Sequence, residues 1–142
     1  MKTLKDLEKL AVDANPLLSA IIGGAARAVF LGGEGIGFYT TSFNLKEVER
    51  YIPRLSAERD IPLDDLYLAF SMLPVNIRDE DFYKSMMKRA GRLLGKRDPD
   101  DCHLLALGLK LRCPVWTNDS DFEGLEVKVL STTELLKRVL GR

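Results

Sequence analysis

The sequence predicts an α/β fold, a three-layer α/β/α sandwich around a mostly parallel sheet. Three observations carry that expectation. Short segments rich in β-branched and aromatic residues alternate with segments of helical periodicity. The first strand, Leu10-Ala11-Val12, is apolar at consecutive positions, as a strand covered on both faces requires. Helix-start signals directly follow strands, in Asn15-Pro16 near the beginning and Ser131-Thr132-Thr133-Glu134 near the end.

In order, Leu10 to Val12 is a buried strand whose tip, Asp13, leaves the core. Asn15 caps a helix through Leu17, Leu18, Ala20 and Ile21 that stops at Gly23-Gly24, and a short second helix runs from Ala25 to Leu31. Gly32 to Gly37 is a turn and does not match the dinucleotide-binding glycine pattern. Gly37 to Thr41 is a strand. Asn44 caps the next helix, where Leu45, Val48, Tyr51, Ile52 and Leu55 share a face. Leu63 to Met72 is helical after the Ile61-Pro62 break, and Val75 to Ile77 is a short strand. Residues 79–95 form an amphipathic helix with acids at its start and bases at its end, as the macrodipole prefers. Asp98-Pro99 opens a helix to about Leu111. Pro114 to Thr117 and Glu126 to Leu130 are strands, and a capping box opens the terminal helix. No repeat or linker interrupts this series, so residues 1–142 read as one domain.

Composition removes several function classes. Lys plus Arg equals Asp plus Glu, 21 against 21, which excludes a generally basic nucleic-acid coat but leaves room for a local basic patch. Cys102 and Cys113 cannot build a disulfide framework and lack zinc-ligand spacing, and the one histidine, His103, rules out chemistry needing several imidazoles. No apolar run approaches the roughly 20 residues that span a bilayer. The start, MKTLKDLEKL, carries acids and no apolar leader core. A reducing, cytoplasmic setting without membrane attachment is expected.

The chemistry is expected from the acids. Asp13 follows the first strand, Asp119 and Asp121 follow the fourth, and Asp98 and Asp101 begin the helix before that fourth strand. In open α/β sheets ligands bind beyond the carboxyl ends of strands where the winding reverses. If the first and fourth strands adjoin there, Asp13 and Asp119 face each other across one crevice. Clustered carboxylates need a counter-charge, and Mg²⁺ or Mn²⁺ prefers hard oxygen ligands. Asp98 also suits a helix cap, and Asp119 and Asp121 also suit a turn. Glu47 and Glu49 flank the apolar face of their helix on opposite sides, and periodicity does not choose between them. Tyr39, Met86 and Trp116 read as core, His103 as structural, and the cysteines as small buried hydrophobes.

Four segments resemble the PIN (PilT N-terminus) domain family of metal-dependent nucleases. They are Val12 to Ala20, Leu45 to Ile52, Arg97 to Asp101 running into Leu104 to Leu107, and Pro114 to Phe122. Pro16 and the glycine-rich loop depart mildly from the commonest pattern, and neither touches an acid. The resemblance implies a ribonuclease with Asp13, Glu47, Asp101 and Asp119 as catalytic acids and ligands to Mg²⁺ or Mn²⁺. The acid followed by an aliphatic residue picks Glu47 over Glu49. A bound cation would lower the pKa of a water that attacks phosphorus and neutralise the departing oxygen. Asn15, Thr117 and Asp121 are expected to support the acids from behind. Lys84, Lys88, Arg89, Arg92, Lys96 and Arg97 are the expected basic rim for RNA. Many small members are toxins of the virulence-associated protein C (VapC) type, paired with an antitoxin and usually dimeric. Others process RNA, and a non-catalytic binding module with the same fold is a third reading. An aspartyl phosphatase is disfavoured because Asn15 stands where its second acid belongs.

Overall fold

Leu10, Ala11 and Val12 have no exposed surface, and the rest of the fold is arranged around the strand they form. In the computed structural model, which describes residues 7–140, β1 (Lys9–Val12) is the middle strand of a five-stranded sheet. β2 (Gly37–Thr41) and β3 (Asn76–Arg78) extend it on one side, and β4 (Val115–Trp116) and β5 (Val129–Leu130) on the other. Every pairing among the described residues is parallel, so the mostly parallel sheet expected is parallel throughout. Most of the opening stretch that bears on a leader lies outside the described residues.

Side chains alternate across the sheet with the strand period of two. Leu10, Val12, Trp116 and Leu130 enter one core, with residues of α1 (Ala14–Ile21), α2 (Ala25–Gly32), α3 (Ser42–Arg59), α4 (Leu63–Ser71) and α8 (Thr132–Val139). Ala11 and Val115 enter the other, with α5 (Glu80–Tyr83), α6 (Met87–Leu94) and α7 (Cys102–Leu111). Two helical layers thus sandwich the sheet. A fully buried leucine contributes about 1.5–3 kcal/mol, so Leu104, Leu105 and Leu107 alone anchor α7 firmly. Among the described residues no single helix is long and apolar enough to cross a membrane.

Several boundaries differ from expectation, each for a local reason. Asp13, not Asn15, caps α1, because its carboxylate already accepts the Ala14 N–H at 2.8 Å. Thr41, not Asn44, caps α3, its hydroxyl accepting the Asn44 N–H at 2.8 Å. The helix expected over 79–95 breaks into α5, a 3₁₀ turn at Lys84–Met86 and α6. Tyr83 sits at the break with φ −111°, its ring buried and its hydroxyl 2.7 Å from His103 Nδ1. The helix expected from Asp98 begins as a 3₁₀ turn, Pro99–Asp101, because the Asp98 side chain accepts the Asp100 N–H. β3 lies one residue later than expected. β5 is short because β4 offers only two residues to pair with. Gly32 ends α2 where a Cβ would stand 2.6 Å from Val139 on α8, and Gly35 turns the loop at φ +90°.

Trp116 is fully buried and donates from Nε1 to Thr132 Oγ1 at 3.0 Å. His103 stacks on Phe43 with ring centroids 4.1 Å apart. Cys113 is buried, Cys102 is half-buried, and both are free thiols.

Candidate metal centre and active site

The winding reverses between β1 and β4, which are neighbours with Val12 opposite Trp116. The Asp13 N–H still donates to the Trp116 carbonyl at 2.9 Å. Asp13 and the chain after β4 therefore leave the sheet side by side, at the end where α1 and α7 begin. One cavity of about 430 Å³ at this end is lined by Asp13, Asn15, Asn44, Glu47, Asp98, Asp100, Asp101, Asn118 and Asp119. It brings together the four acids implied as ligands. Glu47 is in it, and Glu49 is exposed outside it.

Asp13 is tied down on every side. Thr117 Oγ1 donates to its Oδ2 at 2.6 Å and accepts the Asp119 N–H at 3.0 Å, so one hydroxyl links the two strand-end acids. Asn44 Nδ2 lies 3.4 Å from Asp13 Oδ1 and 3.4 Å from Glu47 Oε1. The Thr41 hydroxyl donates to Asn44 Oδ1 at 2.6 Å, which fixes the amide with its NH₂ toward the carboxylates. Asn15 lies exposed at the lip of the cavity and makes no side-chain hydrogen bond among the described residues. The supporting amide is Asn44, three percent exposed. Its place on the polar edge of α3, three residues before Glu47, is the signal in the sequence, but an asparagine at that position also suits a cap.

Asp119 Oδ1 accepts the Asp121 N–H at 2.9 Å and starts a 3₁₀ turn, Ser120–Phe122, that carries Asp121. One carboxylate oxygen each of Asp101, Asp119 and Asp121 lie within 4.8 Å of one another. Asp121 belongs to this triad though it does not line the larger cavity, where Asp13 and Glu47 stand instead.

Charge is concentrated here. Burial, then the charges of Asp119, Asp13, Asp98 and Asp121, push the Asp101 carboxyl up to about 7. Burial raises Asp13, opposed by the bonds from Thr117 and the Ala14 N–H and reinforced by Asp119. Burial and the charges of Asp13 and Asp100 raise Glu47, partly offset by Arg50. Asp13 and Asp98 each act on both Glu47 and Asp101.

Asp101 Oδ2 is buried without a hydrogen-bond partner among the described residues. Such an oxygen is destabilising until a proton or a cation meets it. Together with a donor set made only of carboxylate oxygens, it fits a hard divalent cation such as Mg²⁺ or Mn²⁺.

The expected basic rim is partly committed elsewhere. The Arg97 guanidinium donates to the carbonyls of Asp121 at 3.0 Å and Glu123 at 3.4 Å, and Arg89 pairs with Glu126 at 2.7 Å. Arg97 thereby braces the turn that carries Asp121.

The amide yields a prediction. Asn44→Ala removes the acceptor of the Thr41 hydroxyl proton, while the hydroxyl still accepts the backbone N–H of residue 44, and frees Asp13 and Glu47 to splay. Cation affinity, read by isothermal titration with Mn²⁺, should fall about 10–100-fold. Unchanged affinity would show that Asn44 does not hold the acids in place.

A family model described as "PIN domain" matches residues 11–139. No curated protein matches the chain. Among solved structures, the chain is similar in fold to one in the crystal structure of VapBC2 from Rickettsia felis bound to a DNA fragment from their promoter. The two are 11% identical, the match covers 87% of this chain and 98% of that one, and the TM-score is 0.62.

Proposed function

The chain belongs to the PIN domain family, and from that premise we propose that it is a metal-dependent ribonuclease hydrolysing RNA phosphodiester bonds. The observation that carries the reading is the convergence of Asp13, Glu47, Asp101 and Asp119 in one cavity, with a buried Asp101 oxygen lacking a partner. We assign the cation to Asp13, Glu47, Asp101 and Asp119, with Asp121 beside Asp101 and Asp119. When bound, the cation activates water and offsets charge on the departing oxygen. The protein's own part is positioning. Thr117 and Asn44 fix Asp13, the Asp119 turn fixes Asp121, and the 3₁₀ turn before α7 aims Asp101. The same acids repel RNA until the cation is present, so cleavage is gated by metal.

The test is cleavage mapping of total RNA with Mn²⁺, with Mn²⁺ plus chelator, and with an acid-site variant. Discrete new 5′ ends that need Mn²⁺ support the reading. No cleavage of any RNA by the folded, Mn²⁺-loaded protein would refute it.

The fold likeness to a chain of VapBC2 favours a toxin held by an antitoxin over an RNA-processing role. An apolar face supports a protein partner. Leu31 on α2 is 78% exposed, and Leu68 on α4 and Met72 just after it are 61% and 71% exposed. Isolated apolar residues are ordinary on a surface, but Leu31 and Met72 line one cleft with Phe30, Ala69 and Leu73. Without an antitoxin, we expect a second copy to cover it. Light scattering at micromolar concentration should return about twice the 15.9 kDa chain mass, and Leu31→Asp with Met72→Asp should return the monomer. A wild-type monomer throughout that range would sink the dimer.

A further inference from the structure

We propose that a cleft on α3, beside the acidic cavity, seats an unpaired RNA nucleotide next to the scissile bond. In it, Tyr51 and Arg54 form a stacking platform for the base, and Arg50 and Arg54 hold phosphate. The proposal rests on the reading that the acidic cavity cleaves RNA, and adds where and in what form the substrate lies.

The cleft, about 410 Å³, is lined by Ala14, Leu18, Glu47, Arg50, Tyr51 and Arg54. Ala14, Leu18 and Glu47 also line the acidic cavity, so the two are one continuous groove. Helical spacing explains the continuity. Arg50, Tyr51 and Arg54 stand three, four and seven residues after Glu47, so all four share a stripe along α3. That stripe runs about 10 Å away from the acids at a rise of 1.5 Å per residue.

The chemistry along the stripe changes from anionic to cationic and aromatic. The Arg54 guanidinium lies 5.2 Å from the Tyr51 ring centroid. The guanidinium lies over the ring, so the outer face of the Arg54 plane, backed by Tyr51, is the surface on which an unstacked base lies, and single-stranded RNA is read in this way. Among the described residues, Arg54 forms an ion pair only with Glu58, at 3.3 Å and with both side chains largely exposed. Such a surface pair is weak, and a phosphate can displace it. Arg50 makes no ion pair among the described residues and lies close enough to Glu47 to oppose the rise in its pKa.

On the opposite bank Arg97 is held by two carbonyls, and Arg89 is in a surface pair with Glu126. A duplex cannot use the platform, since its bases are already stacked on each other. The cleft therefore selects single strands, loops or bulges.

The experiment is steady-state cleavage of a labelled single-stranded RNA with Mn²⁺, and of the same RNA annealed to its complement. Arg50→Gln with Arg54→Gln should raise KM about tenfold and change kcat by less than about threefold. The dependence of log KM on log salt should flatten by about 1.4, for two lost phosphate contacts at about 0.7 each. Tyr51→Leu should raise KM about tenfold, and Tyr51→Phe, which keeps the ring, should restore it. Lys128→Gln, at the other end of the sheet, should behave as wild type. Both arginines are exposed, so the double variant carries the test even if Tyr51→Leu fails to fold. Wild-type KM and salt dependence in the arginine variant, or equal cleavage of duplex and single strand, would overturn the cleft while leaving the ribonuclease reading intact. Failure of the wild-type protein to cleave either RNA would overturn both.

Discussion

Asp13→Asn is expected to keep the protein folded and to lower metal-dependent RNA cleavage by about 10²-fold or more, as loss of a single charge-stabilising group does. The substitution separates structure from chemistry at this position. The side-chain oxygen of an asparagine still accepts the Ala14 N–H and so still caps α1. Its amide nitrogen meets Thr117 Oγ1, which has a second lone pair beside the one that accepts the Asp119 N–H. The only hydrogen bond lost is the one donated by the Thr117 hydroxyl, worth about 1.5–3 kcal/mol when its acceptor is charged. Relief of repulsion from Asp119 opposes that loss. The negative charge of Asp13 is gone, and with it a group coupled to both Glu47 and Asp101 and one that we propose as a cation ligand. Cleavage and thermal melting should be measured on the same preparation. A wild-type rate in Asp13→Asn would remove Asp13 from the active site and with it the reading of the cavity.

Much of this arrangement is legible in the sequence because it depends on local rules. The consecutive apolar run at Leu10 to Val12 reads as a strand buried on both faces, and the structure leaves those residues no exposed surface. Once β1 and β4 are neighbours, an acid at the end of each must converge, and both strand ends are visible in the residues. What the sequence does not show is long-range side-chain choice. Asn44 reads as a cap because capping is the commonest use of an asparagine before a helix. Thr41 takes that role two residues after Tyr39 and frees the Asn44 amide to face Asp13, 31 positions away. The break at Tyr83 is hidden for the same reason, since its hydroxyl partner, His103, lies 20 positions on. The expected basic rim, from Lys84 to Arg97, is partly engaged within the protein. A charge run shows where cations are dense but not which are already taken, and Arg89 and Arg97 are held by groups in the loop at 121–126.

Removing the Asp101 charge is expected to stabilise the cation-free protein, and increasingly so as pH rises. The Asp101 pKa is raised from the ordinary Asp value of about 3.8 to about 7 in the folded state. Below about pH 4 folded and unfolded chains both hold this proton, and the group contributes nothing to the difference. Between about pH 4 and 7 the unfolded chain releases it while the folded chain keeps it, so stability falls as pH rises through that window. Above about 7 the folded chain carries the full repulsion. Asp13 and Glu47, also raised, act in the same direction. In Asp101→Asn the neutral amide is surrounded by acceptor oxygens, so the buried atom without a partner is replaced by a donor that can find one. With chelator present, the melting temperature of Asp101→Asn minus that of wild type should grow from pH 5 to pH 8. Mn²⁺ should reverse the order, because the wild type gains stability by binding it. At a hundredfold excess over Kd, that gain is about 2.7 kcal/mol, or several degrees. The double variant Asp101→Asn with Asp119→Asn should gain much less. A pH-independent difference would deny Asp101 its charge-bearing place in the folded protein, and equal Mn²⁺ shifts in wild type and double variant would put the cation elsewhere.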